Sequence, residues 1–335
     1  LDSAAATTLD WLLQGYGLNT GSYDSVSLSV SANSGGCQGF AFNNDGTKMY
    51  IAGINNDDIT QYTLSTAFDI STATYDSVSF SLTGQSTNPV GVLFNTDGTT
   101  MFVALQTNDT IYQYTLSTAF DLSTASYASK SFSVGSQESQ LEGFAFNNDG
   151  TIMYAVGRTN DTVYQYNLST AFDISTASYA SKSLSVSSQD AIPLGLRFNP
   201  EGTKLFVIGE ANQNVYQYSL ATAFDISTAS YDSLTLYVGG QDSYPHDFIF
   251  NNDGTKLIIL GDSTDTAYQY SIASDITLLQ LGTGSFASAD VGKTIEANSG
   301  RVCLNSHRRL LCRNHSTYII RSSRIRLLGD VRRCL

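Results

Sequence analysis

The chain has 335 residues, of which only 14% are charged, and a formal net charge of −13. That charge is uneven, because residues 301–335 hold nine Arg and one Asp, leaving residues 1–300 with 8 basic against 29 acidic side chains. A body this acidic excludes a nucleic-acid interface, which needs a basic footprint, and no apolar run reaches the ~20 residues of a membrane-spanning helix, so no membrane insertion is expected.

Cys37 is the single cysteine of the first 300 residues, so the body is not a disulfide scaffold. The first residues lack the charged-then-apolar pattern of a secretory leader. Residues 1–22 form an N-terminal segment, and 2–13 read as a helix with Ser3 as N-cap and Leu9, Leu12 and Leu13 on one side. Residues 23–30 (YDSVSLSV) then alternate as a strand.

From there five copies of one unit follow at a step of 52 residues, marked by Phe42, Phe94, Phe146, Phe198 and Phe250 and by Tyr62, Tyr114, Tyr166, Tyr218 and Tyr270. A fixed period of this size means a repeat architecture. Each unit carries four strand signals; in the second they are 91–95, 99–105, 109–116 and 129–134. The Asn-x-Asp-Gly-Thr stretch between the first two suits a tight hairpin, with Gly at positive φ and Asp or Asn bonding its own backbone.

Four short antiparallel strands repeated radially define a β-propeller blade. The fold class is therefore all-β, a five-bladed β-propeller over residues 23–274. The fifth unit has three strands, and 23–30 matches the missing fourth because Tyr23 is in register with Tyr75, Tyr127, Tyr179 and Tyr231. This N-terminal strand is expected to close the ring and remove the open sheet edges.

Residues 42–51 (FNNDGTKMYI) and 198–207 (FNPEGTKLFV) resemble the blades of YVTN-type and lactonase-like propellers. The resemblance covers residues 23–272 and implies the fold, not an activity. These units are longer than such blades because of an inserted Ser-Thr-Ala-Phe-Asp-Ile stretch. Residues 275–300 read as the start of a second β-rich module, and 283–300 resemble segments of phage and other virion structural proteins. Residues 301–335 hold nine of the chain's eleven Arg and three of its four Cys. The switch has no fold logic and reads as a shifted reading frame or a disordered tail. Cys303, Cys312, His307 and His315 there fit no zinc spacing.

Comparison among the repeats locates the site. The first-to-second and third-to-fourth links are nearly constant, whereas the links on the opposite face vary. A rigid scaffold concentrates function on such loops, and the candidate ligand-binding residues there are Asp57, Asn108, Glu142, Arg158, Glu210, Asp242, Tyr244 and His246. A metal site would need Glu142, Glu210 and Asp242 to converge, but the positions equivalent to Glu142 in other blades are Gln38, Val90 and Leu194. Asp45, Asp97, Asp149 and Asp253 lack the alternating oxygen ligands of a calcium loop and are read as turn-stabilising, so no metal or other cofactor is expected. Tyr112, Tyr114, Tyr164, Tyr166, Tyr216 and Tyr218 are read as packing between blades rather than as a sugar platform.

No catalytic signature stands out. The leading expectation is a non-enzymatic module on a virion or cell surface, extracellular, whose partner is a surface glycan or protein receptor. A lactonase-like metal-dependent hydrolase and a purely architectural spacer are the alternatives.

Overall fold

The computed structural model describes residues 11–14, 16–272, 275–278, 294–296, 303–306, 309–312, 317–319 and 326–327. The chain divides into two units, Gly15–Ser274 and a second made of Leu1–Gln14 with Asp275–Leu335.

The larger unit is a β-propeller of five four-stranded antiparallel sheets. Blade one consists of Cys37–Phe42, Lys48–Gly53, Asp58–Leu64 and Ala73–Ser81. Blades two, three and four repeat this order, starting at Pro89–Phe94, Leu141–Phe146 and Pro193–Phe198. Blade five has Pro245–Phe250, Lys256–Gly261 and Thr266–Ser271, and its fourth strand is Ser22–Ser29. Val26 faces Gln269 and Leu28 faces Ala267 in that pairing.

The local chemistry explains the hairpins. In the first, Gly46 takes φ +72° and donates to the Asn43 carbonyl at 3.1 Å. Asn43 Oδ1 accepts from the Lys48 N–H at 2.9 Å, and Asp45 Oδ1 accepts from the Thr47 N–H at 3.0 Å. Asp97, Asp149 and Asp253 hold the same bond to Thr99, Thr151 and Thr255. The inserted stretch folds back over this turn. Phe68 covers Gly46 so closely that a Cβ there would lie 2.3 Å from the ring, and Asp69 caps the short 3-10 turn Ile70–Thr72 by accepting from the Ser71 N–H. The fourth strands begin earlier than their alternation predicts, at Ala125 in blade two, because a bulge around Ser129 (φ +57°) shifts the periodicity between Tyr127 and Lys130.

Apolar side chains from facing blades form the core. Between blades one and two, for example, Ala41, Tyr50, Ala52 and Ile59 pack with Val92, Met101, Val103 and Tyr114. Tyr114, Tyr166 and Tyr218 each direct their hydroxyl to the amide oxygen of Gln85, Gln137 or Gln189 in the link entering their own blade.

The N-terminal segment differs from its helical expectation. Trp11–Gln14 is a strand, paired antiparallel with Asp275–Leu278. Helix propensity is a weak prior over so few residues, and a strand partner overrides it; the rest of that helix, 2–10, lies outside the described residues. Residues 16–21 belong to the propeller. Tyr16 stands 52 positions before Phe68, and Leu18–Thr20 forms the 3-10 turn that Ile70–Thr72 forms in blade one. In the second unit, Thr294–Glu296 pairs with Thr317–Ile319, and Cys303–Ser306 pairs with Arg309–Cys312 and Arg326–Leu327. Most of the module expected at 275–300 and of the tail expected at 301–335 lies outside the described residues.

Candidate functional site

The five first strands neighbour one another around the axis of the ring, and each carries a bulge at its second residue. In blade three Leu141 pairs with Gly157 and Gly143 with Val156, which leaves Glu142 out of the ladder. The same shift frees Gln38, Val90, Leu194 and His246. A bulge re-aims one side chain; Gln38, Glu142 and His246 stand among polar groups, whereas Val90 and Leu194 are buried in the apolar clusters between blades. The next residue is Gly in four blades. A Cβ on Gly39 would lie 2.5 Å from the Gly91 Cα, and one on Gly143 2.4 Å from the Leu194 carbonyl oxygen, so neighbouring first strands pack backbone to backbone at that level.

A second repeat position starts the link after each second strand, at Ile54, Gln106, Arg158, Glu210 and Asp262. The polar members of the two positions form a cluster around Glu142 and, beside it, a separate pair. Glu142 Oε1 accepts from Arg158 Nε and from Gln106 Nε2, each at 2.5 Å. Its Oε2 faces His246 Nε2 at 3.3 Å. Arg158 Nη2 donates to the Tyr244 hydroxyl at 2.7 Å, and its Nη1 stands 3.9 Å from Glu210 Oε2. Gln38 Nε2 donates to Asp262 Oδ2 at 3.1 Å. Blades two to five supply the cluster, and blades one and five supply the pair.

The cluster is layered. The side chains of Glu142 and His246 are wholly buried, while those of Arg158 and Glu210 are 26% and 25% exposed. His246 Nδ1 and Glu210 Oε2 are buried without a hydrogen-bond partner, which is costly unless a partner arrives. Burial works against the Arg158 charge, but Glu142 and Tyr244 beside it outweigh that and raise its pKa. Burial raises Tyr244, an effect tempered by Arg158. It also raises Asp262, tempered by the Gln38 bond and by His246. The site therefore offers fixed acceptors and one fixed cation at a half-open rim.

The structure brings together Glu142, Arg158, Glu210, Tyr244 and His246. Asp57, Asn108 and Asp242 it places elsewhere. Asp57 accepts from the Asn88 N–H at 2.8 Å and ties blade one to blade two, as Asp109 does for Leu141 and Asp265 for Cys37. Asn108 donates to the Tyr112 hydroxyl. Asp242 is buried beneath its loops and accepts from the N–H groups of Tyr244, Ser263 and Thr264; Glu138 and Asp190 clamp the corresponding loops of blades three and four. Sequence reasoning left out Gln106 and Asp262, although they share a repeat position with Arg158 and Glu210. It also left out Asp247, which stands where four blades have Gly and is bound to Arg197 Nη2 at 2.7 Å. Among the described residues no group of three or more His, Cys, Asp or Glu side chains is placed to hold a metal ion.

The hydrogen-bonded blades define a five-bladed β-propeller. No family model and no curated protein matches the chain. Solved structures similar to it include a candidate 6-phosphogluconolactonase from Bacteroides uniformis, with 14% identity, TM-score 0.45, 87% of this chain and 88% of that one covered. Another is the Swd1 β-propeller domain of Myceliophteria thermophila, with 11% identity, TM-score 0.45, 73% of this chain and 99% of that one covered. A third is a functionally unknown protein from Desulfotomaculum acetoxidans, with 11% identity, TM-score 0.45, 73% of this chain and 86% of that one covered. The fold assignment rests on the blades themselves. Among the described residues no helix is long and apolar enough to cross a membrane.

Proposed function

We propose that this propeller is a non-enzymatic binding module, displayed on a virion or cell surface, whose variable face takes a surface glycan at the axial mouth. One observation carries the reading. Among the two repeat positions that differ in every blade, Gln106, Glu142, Arg158, Glu210 and His246 come from four different blades and meet in one cluster, with the Gln38–Asp262 pair as a separate contact. The half-open rim offers Arg158 as donor, Glu210 as acceptor and the Tyr244 ring as an apolar surface, the set that a sugar's hydroxyls and C–H face require.

The test is a glycan array probed with the full chain, with and without calcium, alongside Glu210→Gln and Tyr244→Ala. The expected result is selective, calcium-independent binding that both substitutions remove while thermal unfolding stays near wild type. A blank array, or binding indifferent to both substitutions, overturns the reading. Binding that requires calcium would move the site away from this cluster, where the ligand set is absent among the described residues.

A further inference from the structure

The opposite face holds a second specialised place. There the hairpin turns circle the axis, and three are linked by an Asn side chain donating to the next turn's backbone: Asn44 to the Thr96 carbonyl, Asn148 to the Pro200 carbonyl and Asn252 to the Asn44 carbonyl. Pro200 has no side-chain donor, so blade four makes no such link to blade five. A cavity of about 380 Å³ opens at that gap, walled by Tyr16, Phe198, Phe250 and Pro200 and rimmed by Asn252 and Arg197. Its volume lies at the small end of ligand sites, which run from about 300 to 1,000 Å³.

Arg197 is particular to this gap. Its equivalents are Ala41, Leu93, Ala145 and Ile249. Its Nη1 donates to the Leu196 carbonyl and its Nη2 to Asp247 and, at 3.4 Å, to the Phe40 carbonyl. We infer that this cavity is a second ligand site and that it takes a neutral monosaccharide ring. The charge of Arg197 is already matched by Asp247 at 2.7 Å, so an anion would compete with a buried carboxylate and gains little. A purely apolar ligand would leave the Asn and Arg197 rim dry, at the cost that buried polar groups carry. A sugar ring meets both demands, with its C–H face on the Phe198, Phe250 and Tyr16 walls and its hydroxyl oxygens as acceptors for the guanidinium edge.

The experiment is saturation-transfer NMR and calorimetry on the full chain, using methyl glycosides of neutral hexoses and N-acetylhexosamines. Two variants address the site. Pro200→Asn supplies the missing link to the turn of blade five and narrows the gap. The double variant Arg197→Leu with Asp247→Gly restores the Leu93 and Gly91 pattern of blade two, so no buried charge is left alone. Saturable binding of a neutral glycoside, weakened about tenfold or more by each variant, in the double variant through loss of a hydrogen bond to a charged donor and in Pro200→Asn through the narrowed opening, supports the site, provided that both variants melt like wild type. No binding by any glycoside, or binding unchanged in either folded variant, overturns it. Glu210→Gln on the far face is expected to leave this binding untouched, which separates the two sites.

Discussion

The backbone N–H of Tyr16 donates to the Gly254 carbonyl at 3.0 Å, as that of Phe68 donates to the Gly46 carbonyl at 2.9 Å. The ring of Tyr16 also lies over Gly254, where a Cβ would come within 2.6 Å of it. The N-terminal contribution to blade five is thus a whole link and strand, residues 16–29, and not the strand alone. The seam it makes is looser than the others. Leu122, Ile174 and Ile226 each donate a backbone N–H to a Gln side chain of the preceding blade, but at the seam Gln217 Oε1 and Gln269 Oε1 are buried without a partner.

Opening at this seam is the first expectation. Amides of Ser22–Ser29 and Thr266–Ser271 should exchange with solvent faster than those of the corresponding strands in blades two to four, since local stability follows the ties that hold an element. Tyr16→Ala should cost about 2 kcal/mol in denaturant unfolding, less than the roughly 3–5 kcal/mol of a fully buried aromatic truncation because Tyr16 is half-buried. Equal exchange at all five blades would count against the loose seam.

The buried pair Arg197–Asp247 supports a second expectation. Asp247 is the one side chain among four glycines at its level of the axis, 4% exposed, and it also accepts from the Phe40 and Phe248 N–H groups. Removing the charge of one partner alone, as in Arg197→Leu, should destabilise by about 3–5 kcal/mol. Replacing both, as Arg197→Leu with Asp247→Gly, should return to within about 1 kcal/mol of wild type. Urea midpoints of the three proteins decide this; an additive loss in the double variant would mean that the two do not act as a pair.

Much of this architecture is legible in the chain because its period is nearly unbroken. The Phe at position 42 and its equivalents, the Gly of each turn and the Tyr at position 62 and its equivalents repeat in place, and a hairpin turn is a local event that five residues determine. The site is less legible. Glu142 and His246 face each other only because a bulge turns both toward the axis, and no pattern in the sequence states which way a bulged residue points. Asp57 and Asp242 look like loop ligands for the same reason in reverse: their carboxylates turn inward onto backbone N–H groups that only the fold supplies. Tyr16 escaped the repeat because Tyr replaces Phe and the chain connection differs there.

The turns give a third expectation, for acid. Hydrogen bonds from the side chains and N–H groups of Thr47, Thr99 and Thr151 hold the carboxyls of Asp45, Asp97 and Asp149 below their ordinary range. A carboxylate with a depressed pKa contributes stability above its unfolded value, near 3.9, and loses it as pH falls through the folded value. Unfolding free energy should therefore drop as pH goes from 5 toward 2. The triple variant Asp45→Asn, Asp97→Asn, Asp149→Asn should start lower at pH 7 and fall less. Asp247 works in the opposite sense, since burial raises its pKa and its protonation in acid relieves a cost. A triple variant with the same pH slope as wild type would remove the turns from the acid response.

The last expectation concerns Arg158, which links Glu142, Tyr244 and Glu210 across blades three to five. Two effects compete in Arg158→Ala. Loss of a cation at the rim of the mouth weakens any ligand that uses it as donor, whereas loss of the partner of a wholly buried Glu142 carboxylate weakens the fold. Glu142 retains Gln106 and stands 3.3 Å from His246, so the fold cost should be about 2–3 kcal/mol, below that of a buried ion left with nothing. Arg158→Ala combined with Glu142→Gln removes the stranded charge and should recover most of that stability, while binding stays lost because the donor is gone. Unfolding and glycan binding measured on the same two variants separate the effects. Recovery of both together would make Arg158 a structural strut; recovery of stability alone assigns it to the ligand.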